Sequence, residues 1–208
     1  MSWLDSKSVD LVTMSACLHW TDISKTTRAI NRTLRPGGTF AAWYYGNVQF
    51  PDHCEVNTIV QQTISAWCKL RAAYSQESHR TLWVENTGYD CVALPESEGW
   101  APGVQRTKFN ADNGKFSWVR DPDQTEMQLP PQIGPEDVLR YVDDATEWQH
   151  DADLDWFKGY FESIFPKLED IYLTSQLHKI QAAFGQGGKT RAVWPLSLIL
   201  ASKFQSIT

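Results

Sequence analysis

The stretch that most constrains the fold is residues 8–46, whose pattern changes from strand to helix and back to strand. Val9–Ser15 is a short run rich in apolar and β-branched residues, which is typical of a buried strand. From Asp22 onward apolar side chains recur at helical spacing, and Asp22 or Ser24 can accept a backbone N–H at the start of that helix. This part of the chain therefore begins with a strand followed by an amphipathic helix.

A proline and two glycines, Pro36-Gly37-Gly38, end the helix, because proline cannot continue it and glycine tolerates positive φ. The run at residues 39–45 then has the composition of a second strand. A strand, a crossover helix and a second strand of this length predict a βαβ unit with parallel strands.

Three motifs in this unit are Asp10-Leu11-Val12, His19-Trp20 and Leu34-Arg35-Pro36-Gly37-Gly38. Together they resemble the second half of class I S-adenosylmethionine-dependent methyltransferases, in particular small-molecule members of the trans-aconitate methyltransferase type. In that family they lie on the fourth strand, just after it, and before the fifth. Residues 190–203 resemble the family's last strand, which is antiparallel. The resemblance is weak between about residues 54 and 189.

The family's cofactor site lies mainly in its first half, in a glycine-rich loop after one strand and an acidic residue at the end of the next. No G-x-G-x-G pattern follows a strand in this sequence. We therefore expect residues 1–208 to form a single truncated methyltransferase-like domain that binds no cofactor. The expected fold class is α/β, a Rossmann-like mixed sheet with an antiparallel last strand.

Further elements follow from periodicity and turn signals. We predict helices at residues 54–70, 135–148, 151–165 and 168–184, a strand at 104–110, and a segment at 115–119 that pairs back on it. In the resembled family the region at residues 120–184 is a helical lid over the substrate. The sequence thus predicts a helical lid added to the sheet.

Composition excludes several classes of protein. The net charge of −6 and the absence of a basic patch argue against nucleic-acid binding. No apolar run approaches the length of a membrane span, and no signal pattern opens the chain, so we expect a cytoplasmic protein. The four cysteines are scattered without metal-ligand spacing, so we expect reduced thiols and no metal site.

Ligands in open α/β sheets bind at the carboxyl ends of the parallel strands. The sequence therefore places the candidate catalytic residues, His19, Asp22, Tyr44 and Tyr45, after the two strands of the βαβ unit. Aromatic residues can form the walls of a substrate pocket, and the candidates are Trp20, Trp43, Trp118, Tyr141 and Trp148. For each of these residues, packing in the core is the alternative interpretation.

The strand Val9–Ser15 is expected at a sheet edge, because the family's first three strands are missing from the pattern. An apolar, uncovered edge strand invites pairing with another chain. We therefore expect a homodimer formed through this edge.

Three functions fit these observations. The favoured one is an S-adenosylmethionine-independent enzyme that isomerises or cyclises a small apolar molecule by a pericyclic reaction of the Diels–Alder type, through orientation and hydrogen bonding. The second is an S-adenosylmethionine-dependent small-molecule methyltransferase fragment completed by another chain. The third is a non-catalytic partner subunit of a methyltransferase.

Overall fold

The computed structural model describes residues 5–111, 129–165, 168–184 and 188–205. Its strands are β1 (Val9–Ser15), β2 (Leu34–Tyr45), β3 (Gln105–Phe109), β4 (Val138–Val142), β5 (Gln149–Ala152), β6 (Thr190–Val193) and β7 (Leu196–Ser202). Its α-helices are α1 (Ile23–Thr33), α2 (Cys54–Tyr74), α3 (Gln76–Asn86), α4 (Leu154–Ile164) and α5 (Asp170–Phe184). The fold is therefore mixed α/β, as predicted.

The predicted βαβ unit is confirmed, but the prediction that its first strand is buried is wrong. The residues of β1 are half-buried or exposed, because β1 is an edge strand of the described sheet. Strands β1 and β2 pair in parallel, and α1 connects them. The Asp22 carboxylate accepts the backbone N–H of Lys25, so Asp22 caps α1. The second strand begins at Leu34, earlier than predicted. The register with β1 shifts between the pairs Val9–Leu34 and Leu11–Thr39, so the Pro36-Gly37-Gly38 segment forms an irregularity within β2.

Five of the described strands form one sheet in the order β1-β2-β7-β3-β4. β7 is antiparallel to both β2 and β3, as predicted for the last strand, whereas β3 and β4 are parallel. β1 lies at one edge of this sheet, as the sequence predicts. The predicted tail strand is divided at Pro195, and its first part, β6, pairs with β5 in a separate two-stranded sheet.

The helix predicted at residues 135–148 is wrong. Val138–Val142 is strand β4, which pairs with β3, and Thr146–Trp148 is a single 3-10 turn. The segment is rich in valine, leucine and tyrosine, which favour a strand. Its backbone N–H and C=O groups form hydrogen bonds with β3 instead of the bonds within the segment that a helix would form. The predicted segment at residues 115–119 lies outside the described residues, as does Trp118.

The other predicted helices are confirmed, with small differences at their ends. α2 runs to Tyr74, and α4 and α5 occupy the two later predicted segments. Whether the region at residues 120–184 acts as a lid stays a prediction, since β4 within it belongs to the main sheet. None of the helices in the described part of the chain is long and apolar enough to cross a membrane.

Two hydrophobic cores lie in this fold. The first packs α1 and the segment around residues 84–104 on the main sheet, with Phe40 and Trp100 among its buried side chains. The second joins α2, α4 and α5 with the small sheet, and it contains Phe157, Phe161 and Ile180.

Candidate functional site

The two strand ends singled out from the sequence meet in the structure. His19 lies in the 3-10 turn Leu18–Trp20 that follows β1, and it is only 2% exposed. Tyr44, near the end of β2, packs against the His19 ring edge-on, with 5.0 Å between the ring centroids. The parallel pairing of β1 and β2 brings these two side chains to the same edge of the sheet.

Both ring nitrogens of His19 have partners. Nδ1 lies 3.0 Å from the hydroxyl oxygen of Tyr89, and Nε2 lies 3.3 Å from a carboxylate oxygen of Glu85. Burial, together with the positive charge of Arg71, lowers the pKa of His19 from 6.5 to about 4. The imidazole is therefore neutral near pH 7 and is held in place by two hydrogen-bonding neighbours.

Glu85, on α3, is the centre of this buried network. Arg71 of α2 donates to both of its carboxylate oxygens, over 3.2 and 3.0 Å, and Tyr44 donates to it as well. Burial raises the pKa of the Glu85 carboxyl, and the bonds from Arg71 and Tyr44 act in the opposite direction. Burial and the nearby Glu85 raise the pKa of Tyr44 well above its ordinary value. The buried charges are thus paired and hydrogen-bonded.

A row of aromatic side chains runs beside this network, and we call it the aromatic row. It consists of Trp20, Tyr44, Tyr45, Tyr160 and Trp156. Trp20 is 56% exposed, and the Arg71 guanidinium lies over its ring at 5.2 Å from the centroid. Tyr45 is 42% exposed and stacks on Tyr44 at 5.9 Å. These exposed faces could hold an apolar molecule at the strand ends.

The aromatic row continues into the second core. Burial raises the pKa of the Tyr160 phenol, and the charge of a nearby Tyr45 phenolate would add to this effect. The Tyr160 ring stacks on Trp156 with 4.9 Å between centroids and 12° between planes. Trp20 packs on His19 and Tyr45 on Tyr44, so each exposed ring lies against a neighbouring ring of the site.

Four predicted site residues lie elsewhere. Asp22 caps α1 and pairs with Lys25 at 3.1 Å, and the backbone N–H of Lys25 lowers the pKa of its carboxyl. Trp43 pairs in register with Ser15 and is half-buried. Tyr141, 50% exposed, lies on edge strand β4, and Trp148 accepts a backbone hydrogen bond from Trp194. Within the described residues, none of the four has a recorded contact with His19.

Three residues of the network were missed by the sequence reasoning, namely Arg71, Glu85 and Tyr89. They come from the end of α2, from α3 and from the turn after it, where helical periodicity in the sequence is weak. The remaining signal is chemical, since Glu85 is a charged residue that follows Leu82 and Val84 on α3, and all three are buried. That signal indicates a buried ion pair but does not say what it contacts.

The described residues contain no group of three or more His, Cys, Asp or Glu side chains that could hold a metal ion. The four cysteines, Cys17, Cys54, Cys68 and Cys91, are free thiols. Burial raises the pKa of the Cys91 thiol.

Comparison with known proteins gives the same scaffold. A family model described as a methyltransferase domain matches residues 2–42. The chain is 28% identical over 205 residues to the methyltransferase gedG of Aspergillus terreus, covering 96% of this chain and 63% of gedG. It is 29% identical over 201 residues to the methyltransferase tpcM of Aspergillus fumigatus, covering 94% of this chain and 62% of tpcM. The chain thus spans less than two thirds of these relatives.

A solved structure, from a protein assigned to the type II methyltransferases of Anaeromyxobacter dehalogenans, superposes with a TM-score of 0.56. The match covers 98% of this chain and 68% of that protein, at 18% sequence identity. The scaffold is methyltransferase-like. At that identity the structural likeness concerns the fold alone.

A methyltransferase-like scaffold implies S-adenosylmethionine, so we tested whether the residues at the strand ends fit it. The loop directly after β1 contains Ala16 and Cys17 and no glycine, and Gly46 after β2 donates its N–H to Pro195. The nearby buried carboxylate, Glu85, is already engaged by Arg71, His19 and Tyr44. The described residues at these ends do not fit a complete site for this cofactor.

Proposed function

We propose that this chain forms the acceptor-binding part of an enzyme that methylates a small apolar molecule. The observation that carries the proposal is the alignment of methyltransferases from Aspergillus with 94–96% of this chain. This is the second of the functions considered from the sequence, and the comparisons support it over the cofactor-independent reaction, which none of them tests.

In this proposal the exposed faces of Trp20 and Tyr45 bind the acceptor by stacking. The buried network behind them keeps these faces in one arrangement, because Arg71 contacts the Trp20 ring and is itself fixed by Glu85. Group transfer to a bound molecule depends strongly on orientation, and a rigid surface supplies it without further ordering cost. The contribution of this chain is therefore to bind and orient the acceptor.

The first test measures binding of an aromatic probe, 2-naphthol, to the protein and to the variant Trp20→Ala. We expect the substitution to weaken binding about fivefold, since an aromatic contact contributes about 1 kcal/mol. Ile171→Ala is the matched control, because Ile171 is a large apolar side chain on α5 that is 77% exposed. Equal affinities of Trp20→Ala and the unsubstituted protein would contradict the proposed acceptor surface.

A second candidate, the cofactor-independent isomerase or cyclase, has one observation in its favour. The hydroxyl groups of Tyr44 and Tyr89 and the neutral His19 lie beside the exposed aromatic surface in a region shielded from water. Such an arrangement can orient a flexible apolar substrate and polarise it through hydrogen bonds.

Two measurements separate the candidates. The first is calorimetric titration of the protein with S-adenosylmethionine. The second is incubation of the protein with 2-naphthol and S-adenosylmethionine that carries a labelled methyl group. A labelled product would support methyl transfer. Because the described residues at the strand ends do not fit a complete cofactor site, we expect tight binding of S-adenosylmethionine only with the part of the enzyme that completes that site. Micromolar binding by this chain alone would contradict the proposed division of roles. Rearrangement of an apolar substrate at the same rate with and without S-adenosylmethionine would favour the second candidate.

A further inference from the structure

We propose that Tyr89 is a positioning residue that fixes the neutral His19 ring with its proton on Nε2, and that the buried Lys108 of β3 holds Tyr89 in place. This inference deepens the proposed site and rests on the proposed function only for the use to which His19 is put. It links the strand ends at one side of the main sheet to a buried cation two strands away.

The direction of the hydrogen bond between His19 and Tyr89 follows from the position of Glu85. Nε2 of His19 lies 3.3 Å from an oxygen of the Glu85 carboxylate, which also accepts from Arg71 and has no proton to donate. The neutral ring therefore carries its proton on Nε2, facing Glu85. Nδ1 is unprotonated and accepts the hydroxyl proton of Tyr89, 3.0 Å away.

The backbone of Tyr89 has an unfavourable conformation. Its φ of +66° lies in the left-handed region, which is unfavourable for a bulky aromatic residue. The side chain is completely buried, and the turn after α3 places its hydroxyl 3.0 Å from His19 Nδ1. A strained backbone of this kind persists only where the surrounding structure holds it.

Two cations of β3, Lys108 and Arg106, contact the turn that contains Tyr89. The Lys108 ammonium donates to the carbonyl oxygen of Gly88 at 2.7 Å and pairs with the Asp90 carboxylate at 2.8 Å. It therefore binds the residues on both sides of Tyr89. Arg106, also on β3, donates to the carbonyl oxygen of Tyr89 at 3.3 Å and to that of Val92 at 2.9 Å. These two cations are almost fully buried. They hold the turn together with its backbone bonds, such as the one from the Val92 N–H to the Tyr89 carbonyl.

Lys108 is the more informative of the two cations. Burial lowers the pKa of its ammonium, and the adjacent Asp90 carboxylate acts against this effect. Ser197 of β7 accepts a further bond from it at 2.9 Å. A buried cation is costly unless it is paired and hydrogen-bonded, and here its partners are largely the backbone and the acid of one turn. Lys108 contacts the residues on both sides of Tyr89, so we expect its effect on His19 to pass through Tyr89.

The experiment follows the ring nitrogens of His19 by NMR in ¹⁵N-histidine-labelled protein. We expect the unsubstituted protein to show a protonated Nε2 and an unprotonated Nδ1. A protonated Nδ1 would overturn the proposal. In Tyr89→Phe, the Nδ1 signal should move toward that of a free, unprotonated nitrogen, and the proton affinity of His19 should rise about tenfold, since the hydrogen bond to its neutral form is lost. The groups facing the ring, Arg71, Glu85 and Tyr44, are unchanged in this variant.

The role of Lys108 is tested with Lys108→Met and with the milder Asp90→Asn, which removes only its carboxylate partner. Both should shift the His19 signals in the same direction as Tyr89→Phe. Lys203→Met is the matched control, because Lys203 also donates to two backbone carbonyls, those of Asn31 and Leu34, but at a distant position. His19 signals that stay unchanged in folded Asp90→Asn would contradict the role of Lys108. No ligand enters these measurements, so their outcome is independent of the proposed function.

Discussion

His19 illustrates how burial changes the chemistry of a single residue. It titrates near pH 4 in the folded protein and near 6.5 when exposed, because burial and Arg71 disfavour its charged form. The unfolded chain therefore takes up a proton between pH 6.5 and 4 that the folded chain does not bind. The contribution of His19 to folding is complete above pH 6.5 and is lost as the pH falls toward 4.

As the pH falls from 7 to 4, we expect proton uptake by His19 in the unfolded chain to lower the free energy of unfolding by about 3 kcal/mol. Urea denaturation of the protein and of His19→Asn over this range measures it, and the difference between the two curves separates His19 from the opposing effect of Glu85. His150→Gln is the control, since His150 is exposed. Parallel curves for the protein and His19→Asn would contradict the prediction.

At the level of residues, the sequence predicts which side chains meet at the strand ends, and their role as a site stays a prediction. The proximity of His19, Trp20, Tyr44 and Tyr45 could be predicted, because parallel strands place the residues after their carboxyl ends together. Tyr89 could not, since its place depends on a left-handed turn held by cations from another strand. A motif reports what is local, whereas the partners of a buried charge are set by tertiary contacts.

Among the elements, the close approach of β1 and β2 depends on Gly38. A Cβ at this position would lie 3.1 Å from the carbonyl oxygens of Val9 and Asp10 and 2.9 Å from that of Arg35. We expect Gly38→Ala to lower the free energy of unfolding by about 1–3 kcal/mol, because backbone atoms have to move. Thermal or urea denaturation measures the change.

Gly159 provides the matched control for this prediction. It lies inside α4, and a Cβ there would meet no atom within 4 Å. Gly159→Ala should therefore stabilise the protein by about 0.5–1 kcal/mol through helix propensity. A Gly38→Ala variant as stable as the unsubstituted protein would show that the two strands have room to separate.

The elements were predicted well where the pattern and the pairing agree, as in β1, α1 and β3. The error at β4 has a physical reason, since Pro135 and two following acids favour a helix start, while the valines and the tyrosine favour a strand. The open edge of β3 decided between these local preferences. No pattern within residues 135–148 contains that information.

At the scale of the whole molecule, the exposed edge at β1 supports the prediction of a homodimer. Leu11 on this strand is 53% exposed, and the strand pairs only with β2 among the described residues. Light scattering at micromolar concentration should give the mass of two chains. Leu11→Lys should give a monomer, because a charge at the edge opposes strand pairing.

Ile171→Lys, a charge placed at an exposed site on α5, should leave the dimer intact. A monomeric unsubstituted protein would contradict the prediction and would leave β1 open for a different partner, as in the non-catalytic subunit considered from the sequence.

The division of the tail at Pro195 has a mechanical consequence. β6 contributes Ala192 to the second core, and β7 contributes Ile199 to the first, with only Trp194 and Pro195 between the two strands. A connection of two residues allows β6 and β7 almost no independent movement. A displacement of β6 when the second core loosens is therefore passed to β7 in the main sheet, and the reverse holds for the first core. The two cores are thus coupled through the chain as well as by contact.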